Sequence, residues 1–203
     1  TFIEERLGYL QEVALEFVGI DLAEASIPIR PGMHYIMGGI KTDINGATEV
    51  PGLYAAGETA NVSVHGGNRL GATSLLDTIG FGRRTAIAAA EFAKGAEKHS
   101  SDESMLASEK ARYQGLLDRP ADLRSAGLRR DMGESMVAGI GVFRDQKSID
   151  AATATVKELR SLYRRVAVDN KGKVFNTDIM AAIELDYMLD VAHAICAGAN
   201  ARK

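Results

Sequence analysis

The sequence has 203 residues, of which 46% are hydrophobic and 25% are charged, and its formal net charge is -3. This composition is typical of a globular chain with a buried core, and the scattered lysines and arginines argue against nucleic acid as a partner. The single cysteine, Cys196, excludes an internal disulfide and a cysteine-rich metal or iron–sulfur site; no apolar run reaches the roughly 20 residues of a membrane-spanning helix, and no signal peptide is evident.

The first part of the chain combines one helix with short extended segments. Residues 2–18 carry a loose helical stripe of apolar side chains, which predicts a helix. Two prolines favour extended backbone over residues 27–31, and residues 33–40 have the β-branched, aromatic and glycine content of a buried strand. The pair Asn45-Gly46 predicts a tight turn with positive φ angles, and residues 53–57 read as a second short strand.

A glycine-containing loop and a long helix come next. Residues 61–71 show little periodicity and include Gly66, Gly67 and Gly71, which is typical of a loop whose backbone approaches something closely. Ser74 and Asp77 have the spacing of a capping box, which predicts a helix that starts at Ser74 and continues through an alanine-rich run to Phe92.

A charged, serine-containing linker over residues 95–103 marks a predicted domain boundary, and the remainder reads as four helices. The fold class is therefore α+β, with one domain over residues 1–95 and an all-α bundle over 96–203. Cys196 lies in a periodic apolar run, which predicts a packed side chain. The first predicted helix has an apolar stripe of Leu106, Tyr113 and Leu117 and ends at Pro120, and the second has Leu128, Met132 and Met136 and ends near Gly139. The stripe of the third consists of Ile149, Ala152, Val156, Leu159, Tyr163 and Val166. The fourth begins at an Asn176 cap, where Phe175 is predicted to pack on Met180 as a hydrophobic staple, and its stripe consists of Ile183, Tyr187 and Val191.

The candidate site lies between His34 and Arg83, where histidines, an arginine, many glycines and a helix start are concentrated. Taken one by one, these residues also have ordinary explanations: His34 could be a core histidine, Arg69 could be a surface ion-pair partner, and Glu58 could be a solvated carboxylate. The glycines around Arg69 favour a ligand instead, since they remove neighbouring side chains, and a guanidinium binds a carboxylate in bidentate fashion. The helix start at Ser74 adds free amides and partial positive charge, which suit an anion or an electron-accepting ring.

Three motifs in this region resemble one known family. HYIMGGI from His34, GLYAAGE from Gly52 and SVHGGNRLGATSLL from Ser63, in this order, are similar to motifs of the succinate dehydrogenase and fumarate reductase flavoproteins. The helical part matches as well, through VFRD from Val142 and FNTDIMAAIELDYMLDVAHAI from Phe175. The resemblance implies that residues 1–95 are the C-terminal part of an FAD-binding and substrate region whose N-terminal half is absent, and that residues 96–203 are the helical domain.

The resemblance also implies roles for individual residues. His34 and Arg69 match the histidine and arginine that hold a dicarboxylate in this family. Glu58 matches an acidic residue that binds a flavin hydroxyl, and Ser74 and Leu75 match residues whose amides face the pyrimidine edge of the flavin. The family arginine that donates a proton belongs to upstream sequence, His65 is expected to be structural, and no metal ligand is expected.

The expected activity is succinate–fumarate interconversion by hydride transfer to or from FAD. The implied partners are a dicarboxylate substrate, an iron–sulfur subunit and, through it, a quinone-linked membrane anchor, with the chain peripheral at the cytoplasmic side of the membrane. The isolated segment is expected to be inactive and unable to retain FAD. Two alternatives are an L-aspartate oxidase, against which Gly67, Gly71 and Asp77 argue, and a non-catalytic helical interaction module.

Overall fold

The computed structural model describes residues 2–29, 32, 34–97, 102–120 and 122–202. Its backbone contacts group the chain into two compact units, residues 1–32 and 33–203. In the described ranges there are six α-helices and one two-stranded parallel sheet, which confirms the predicted α+β class with a helical C-terminal part.

The first unit is built on helix α1, Phe2–Val18, as predicted. The helix bends at Leu7, whose φ of -126° and ψ of 21° are not helical. Gly19 ends it with a φ of 68°, and its amide donates to the carbonyl of Leu15 at 3.1 Å. The Gln11 side chain then holds the following turn, because it donates to Asp21 and accepts from the amide of Leu22, each at 2.8 Å.

The sheet in the second unit is much shorter than the sequence predicts. Strand β1, Ile40–Lys41, pairs in parallel with β2, Ala60–Asn61. The strand predicted over residues 33–40 is wrong over the described residues 34–39, and Met33 lies outside them. Gly38 and Gly39 have φ values of 110° and 139°, which side chains rarely adopt, so the backbone leaves the strand region just before β1.

The segment between the two strands folds as a compact turn. Of the predicted pair, only Gly46 has a positive φ, 77°, and the Asp43 carboxylate holds the turn by accepting from the amides of Asn45 and Ala47 at 2.8 and 2.9 Å. The short strand predicted over residues 53–57 is wrong, because only Tyr54 forms a β-bridge, to Ala47. Gly57–Thr59 is a 3-10 turn.

Four helices form the C-terminal bundle, and they follow α2, Thr73–Gly95. They are α3 (Glu103–Asp118), α4 (Ser125–Ile140), α5 (Gln146–Leu162) and α6 (Thr177–Ala201). The predicted ends at Pro120 and Gly139 agree with these bounds within two residues; residues 98–101 of the predicted linker lie outside the described ranges. Helices α4, α5 and α6 pack against one another around a core that includes Leu128, Met132, Met136, Ile140, Val156, Leu159, Leu185, Leu189 and Cys196.

The cap residues explain where the bundle helices begin. Asp145 and Ser148 form a reciprocal capping box at the start of α5. Asn176 caps α6 as predicted, since its side chain accepts from the amide of Ile179 at 3.0 Å. The predicted hydrophobic staple at this cap is wrong, because the Phe175 side chain is 97% exposed.

The face of α6 that packs into the core differs from the predicted one. Of the predicted stripe, Ile183 is partly buried against the core, but Tyr187 and Val191 are about half exposed. The fully buried side chains of this part of α6 are instead Leu185 and Leu189. On α3, Leu106 is likewise exposed and Leu116 is buried. Cys196 is fully buried, as predicted, with its sulfur 3.8 Å from that of Met136. Among the helices of the described residues, none is both long and apolar enough to cross a membrane.

Candidate functional site

Two close backbone approaches assemble the site region. A Cβ on Gly39 would lie 2.4 Å from the carbonyl oxygen of Thr59, so only glycine allows β1 and the turn before β2 to meet. A Cβ on Gly57 would lie 3.5 Å from the Thr78 side chain, which places this turn against the first turns of α2. The segment of His34, the turn of Glu58 and the start of α2 are therefore neighbours.

The centre of the region is a hydrogen-bonded group formed by Tyr35, His65 and Asp77, here called the Asp77 network. The Asp77 side chain is buried, and its Oδ2 accepts from His65 Nε2 at 3.0 Å and from the Tyr35 hydroxyl at 3.3 Å. Because an ionised carboxylate only accepts, the imidazole is the donor in this hydrogen bond, through Nε2–H. The two rings meet edge to face, with centroids 5.4 Å apart and an interplanar angle of 84°.

Burial of the phenol and the neighbouring charge of Asp77 both raise the pKa of Tyr35 above its ordinary value. The tyrosine therefore keeps its proton and remains a hydrogen-bond donor to the carboxylate. No sequence motif predicts a role for Tyr35, and His65 is predicted to be only structural. The capping box predicted for Asp77 is wrong, because its carboxylate faces His65 and Tyr35.

Arg69 lies over the ring of Tyr35. Its Cζ atom is 4.7 Å from the ring centroid, a distance at which the cation and the ring face attract. Nη1 donates to the carbonyl of the next residue, Leu70, at 3.0 Å. Nε is buried and has no hydrogen-bond partner among the described residues. The guanidinium is thus held on one face while part of its donor capacity is unused.

Glu58 and His34 flank this arrangement. The Oε1 atom of Glu58 accepts from the amide of Ile36 at 3.2 Å, which ties the 3-10 turn to the segment after Tyr35. His34 has an exposed side chain and directly precedes Tyr35, so its Cα is about 3.8 Å from that of the tyrosine. Three of the predicted site residues, His34, Glu58 and Arg69, are thus connected through Tyr35 and Ile36.

The start of α2 brings the remaining two predicted residues to the same region, but with a different cap. The N-cap is Ala72, with a left-handed φ of 65° and no side-chain hydrogen bond, and the helix begins at Thr73 rather than Ser74. Thr73 closes the turn, because its hydroxyl donates to the carbonyl of Leu70 at 2.7 Å. Ser74 and Leu75 are the second and third helical residues, where amides have no acceptor within the helix.

The start of α2 and the loop before it offer free backbone donors beside open space, which is what one edge of a flat cofactor such as a flavin needs. The amides of Ser74 and Leu75 are free of intrahelical bonds, and the Leu75 side chain is 70% exposed. A Cβ on Gly66 or on Gly71 would have no neighbouring atom within 4 Å, so the loop leaves open space beside Arg69. Within the described ranges, no group of three or more histidine, cysteine or acidic side chains could hold a metal ion.

Comparison with known proteins identifies relatives along the whole chain. The FAD binding domain family model matches residues 1–75, and the model described as fumarate reductase flavoprotein C-term matches residues 129–203. A fumarate reductase flavoprotein subunit of Mycobacterium tuberculosis is 38% identical over 200 residues, covering 95% of this chain and 34% of the relative. A succinate dehydrogenase flavoprotein subunit of Rickettsia conorii is 38% identical over 212 residues, covering 99% and 36%.

A solved structure gives the same result at the level of fold. A mutant of Escherichia coli quinol fumarate reductase superposes with a TM-score of 0.93 at 36% identity, covering 99% of this chain and 35% of the other. The chain spans about a third of the length of the curated relatives it matches. In sequence and in fold, it is therefore related to the flavoprotein subunits of fumarate reductase and succinate dehydrogenase.

Proposed function

We propose that this chain works as part of a flavoprotein that interconverts succinate and fumarate with FAD. The relatives named above carry those two activities in their names, and the motifs around His34, Glu58 and Arg69 are intact. The part contributed by this chain is a carboxylate-binding arginine and one edge of the flavin pocket. Alone, without the rest of the flavoprotein, the chain neither retains FAD nor turns over substrate.

The observation that carries the proposal is the state of Arg69. Its guanidinium is supported by the Tyr35 ring and by one backbone carbonyl, while Nη2 makes no hydrogen bond among the described residues. A free donor on a permanently charged group is available to an anionic ligand. A substrate carboxylate offers two parallel acceptors and a negative charge, which match the guanidinium fork.

His34 gives the site a second point of attachment. It is exposed, precedes the tyrosine on which Arg69 lies, and can donate to the other carboxylate of a four-carbon substrate. Two attachments at opposite ends fix the substrate in one orientation, and this makes the transfer effectively intramolecular.

Glu58, Ser74 and Leu75 would hold the flavin. The Oε2 atom of Glu58 has no hydrogen-bond partner among the described residues and can accept from a hydroxyl of the cofactor, while Oε1 is held by Ile36. The amides of Ser74 and Leu75, at the positive end of α2, suit the pyrimidine edge, where negative charge develops on reduction. FAD supplies, when bound, the ring that exchanges a hydride with the substrate.

The proposal assigns the two parts of the chain to the two regions predicted from the sequence. Residues 1–95 form the C-terminal part of the FAD-binding and substrate region, and residues 96–203 form the helical domain. The electrons pass to an iron–sulfur subunit and, through it, to a quinone-linked membrane anchor, so the chain is peripheral at the cytoplasmic side of the membrane. Two names support the existence of further subunits and a quinol partner: the relatives are named flavoprotein subunits, and the solved neighbour is a quinol fumarate reductase.

The test uses the complete flavoprotein in which this chain occurs, produced with its upstream coding sequence. Arg69→Lys should keep the flavin bound but lower fumarate turnover by about a hundredfold or more, because lysine retains the charge and loses the planar fork. Arg84→Lys is the matched control: this arginine lies within α2 and donates to the Asn45 side chain at 3.1 Å, and its replacement should leave turnover unchanged.

The outcome that would exclude the assignment is near-normal turnover in the Arg69→Lys protein. Substrate identity is tested in the same preparation by flavin absorbance changes with fumarate and with L-aspartate. Binding of fumarate without aspartate oxidation supports the proposal, whereas aspartate oxidation would replace it with an aspartate oxidase. A complete protein that retains no flavin at all would leave only an interaction role for the helical domain.

A further inference from the structure

We infer that Asp77, acting through His65 and Tyr35, is a positioning residue for the Arg69 guanidinium. The inference rests on the proposed function, in which Arg69 holds a substrate carboxylate, and it assigns a role to the Asp77 network that the substrate residues alone do not require. None of the three residues in the network touches the substrate in this proposal. Their function is to fix the plane of the arginine.

The first step is the anchoring of the network to the helix. Asp77 lies in the second turn of α2 and is only 6% exposed, so its carboxylate depends on protein donors. Among the described residues it has two side-chain donors, the His65 Nε2–H and the Tyr35 hydroxyl, both on the same Oδ2 atom. Loss of either donor would leave a buried carboxylate poorly solvated, which is unfavourable. The His65 and Tyr35 side chains are therefore held in place against helix α2.

The second step is the orientation of the tyrosine ring. The hydroxyl end is fixed at Asp77, and the His65 imidazole packs against the ring edge at an interplanar angle of 84°. The Tyr35 oxygen also lies 3.4 Å from His65 Nε2. A ring that is anchored at its tip and supported at its edge cannot rotate freely, so its face is presented in one direction.

The third step is the transfer of this orientation to Arg69. The guanidinium carbon lies 4.7 Å from the ring centroid, on the face of Tyr35. Arginine has many rotamers, and bidentate binding of a carboxylate requires one plane, so a fixed stacking partner lowers the entropy lost on binding. The guanidinium is thereby pre-organised for the substrate by a carboxylate that it does not contact.

The experiment measures fumarate dissociation constants by flavin absorbance in the complete flavoprotein, with thermal midpoints recorded in parallel. Tyr35→Leu removes the stacking face and should weaken fumarate binding roughly tenfold, on the scale of losing a partly desolvated cation–π partner. Tyr35→Phe keeps the face but loses the anchor, and should weaken binding by a smaller factor, about threefold. Asp77→Ala should resemble or exceed Tyr35→Phe.

The matched control is Tyr54→Leu. Tyr54 also packs edge to face on an aromatic side chain, Phe92, with centroids 6.1 Å apart, but it has no part in the network. It should lower the thermal midpoint and leave the fumarate constant unchanged. His65→Gln, whose amide can still donate to Asp77, should bind fumarate more tightly than His65→Ala, which cannot.

The results separate a positioning role from a structural one. If Tyr35→Leu and His65→Ala lower the thermal midpoint as Tyr54→Leu does but bind fumarate like the parent protein, the inference is overturned and the proposed function stands. If the parent protein itself does not bind fumarate, the proposed function fails first. Should Asp77→Ala lose its flavin, the order of the two Tyr35 variants and the two His65 variants still decides, and equal constants throughout would refute the inference.

Discussion

Replacing Gly139 with alanine should push α4 and α5 apart. Gly139 is buried near the end of α4, where that helix crosses the start of α5. A Cβ at this position would lie 2.5 Å from the carbonyl oxygen of Ser148 and 2.6 Å from the Cβ of Ala152. One neighbour is a backbone oxygen and the other is the methyl group of an alanine, both on the facing helix. Neither can move by rotation of a side chain, so the two helix backbones must separate.

The size of the effect is the difference between two opposing terms. Ordinary van der Waals contact begins near 3.4 Å, so the clash requires a shift of almost an ångström. Overpacking of this kind costs about 1 to 3 kcal/mol, whereas alanine in place of glycine in a helix contributes about 1 kcal/mol of stability. With contacts this short the steric term should exceed the propensity term, which gives a net destabilisation of up to about 2 kcal/mol.

Gly133 provides the control within the same helix. A Cβ there would have no neighbouring atom within 4 Å, so Gly133→Ala should show only the propensity term. The two substitutions share the propensity term, so they should change stability in opposite directions and differ by the steric term alone, about 1 to 3 kcal/mol. Urea unfolding followed by far-ultraviolet circular dichroism should place the Gly139→Ala midpoint below the parent chain and the Gly133→Ala midpoint above it. Equal midpoints would refute the helix contact as described.

Two further predictions concern the bundle. Burial and the charge of Asp186 raise the pKa of Tyr163 to about 12. Because the tyrosine of the unfolded chain ionises at a lower pH, the stability that this group contributes below pH 10 is lost as the pH rises towards 12. Unfolding measured at several alkaline pH values should therefore show a smaller loss of stability in Tyr163→Phe. Arg112 of α3 donates to Asp186 at 3.0 Å and to the Tyr187 hydroxyl at 2.9 Å, so Arg112→Leu should speed amide exchange in α3 about three- to tenfold, since such a network contributes on the order of 1 kcal/mol. Arg130→Leu, which loses only a neighbouring surface pair, should leave exchange in α3 unchanged.

The sequence predicted the helices well where local signals agree. Pro120, Asn176 and the glycines after Met136 all mark helix limits close to those observed, because capping and breaking act within a few residues. The core face of α6 was predicted wrongly for the opposite reason. Apolar residues occur on both sides of this helix, Tyr187 and Val191 as well as Leu185 and Leu189, so periodicity alone cannot select the buried side.

The candidate site was predictable only where a motif carries it. His34, Glu58, Arg69, Ser74 and Leu75 follow from contiguous motifs, and their roles stay proposals. The contacts of Asp77 could not be foreseen, since its hydrogen bonds reach across 12 residues to His65 and 42 to Tyr35. Its spacing from Ser74 fitted a local cap equally well, and only the tertiary fold chooses between the two.

The buried thiol of Cys196 allows opening of the helical bundle to be measured in the natural sequence. The thiol is the sole one in the sequence, is fully inaccessible, and lies against Met136 of α4 from its position on α6. A bulky thiol reagent can reach it only when these helices part, so the labelling rate reads the population of opened molecules. Ligands, partner subunits or substitutions that tighten the helical domain should slow the labelling without any introduced probe.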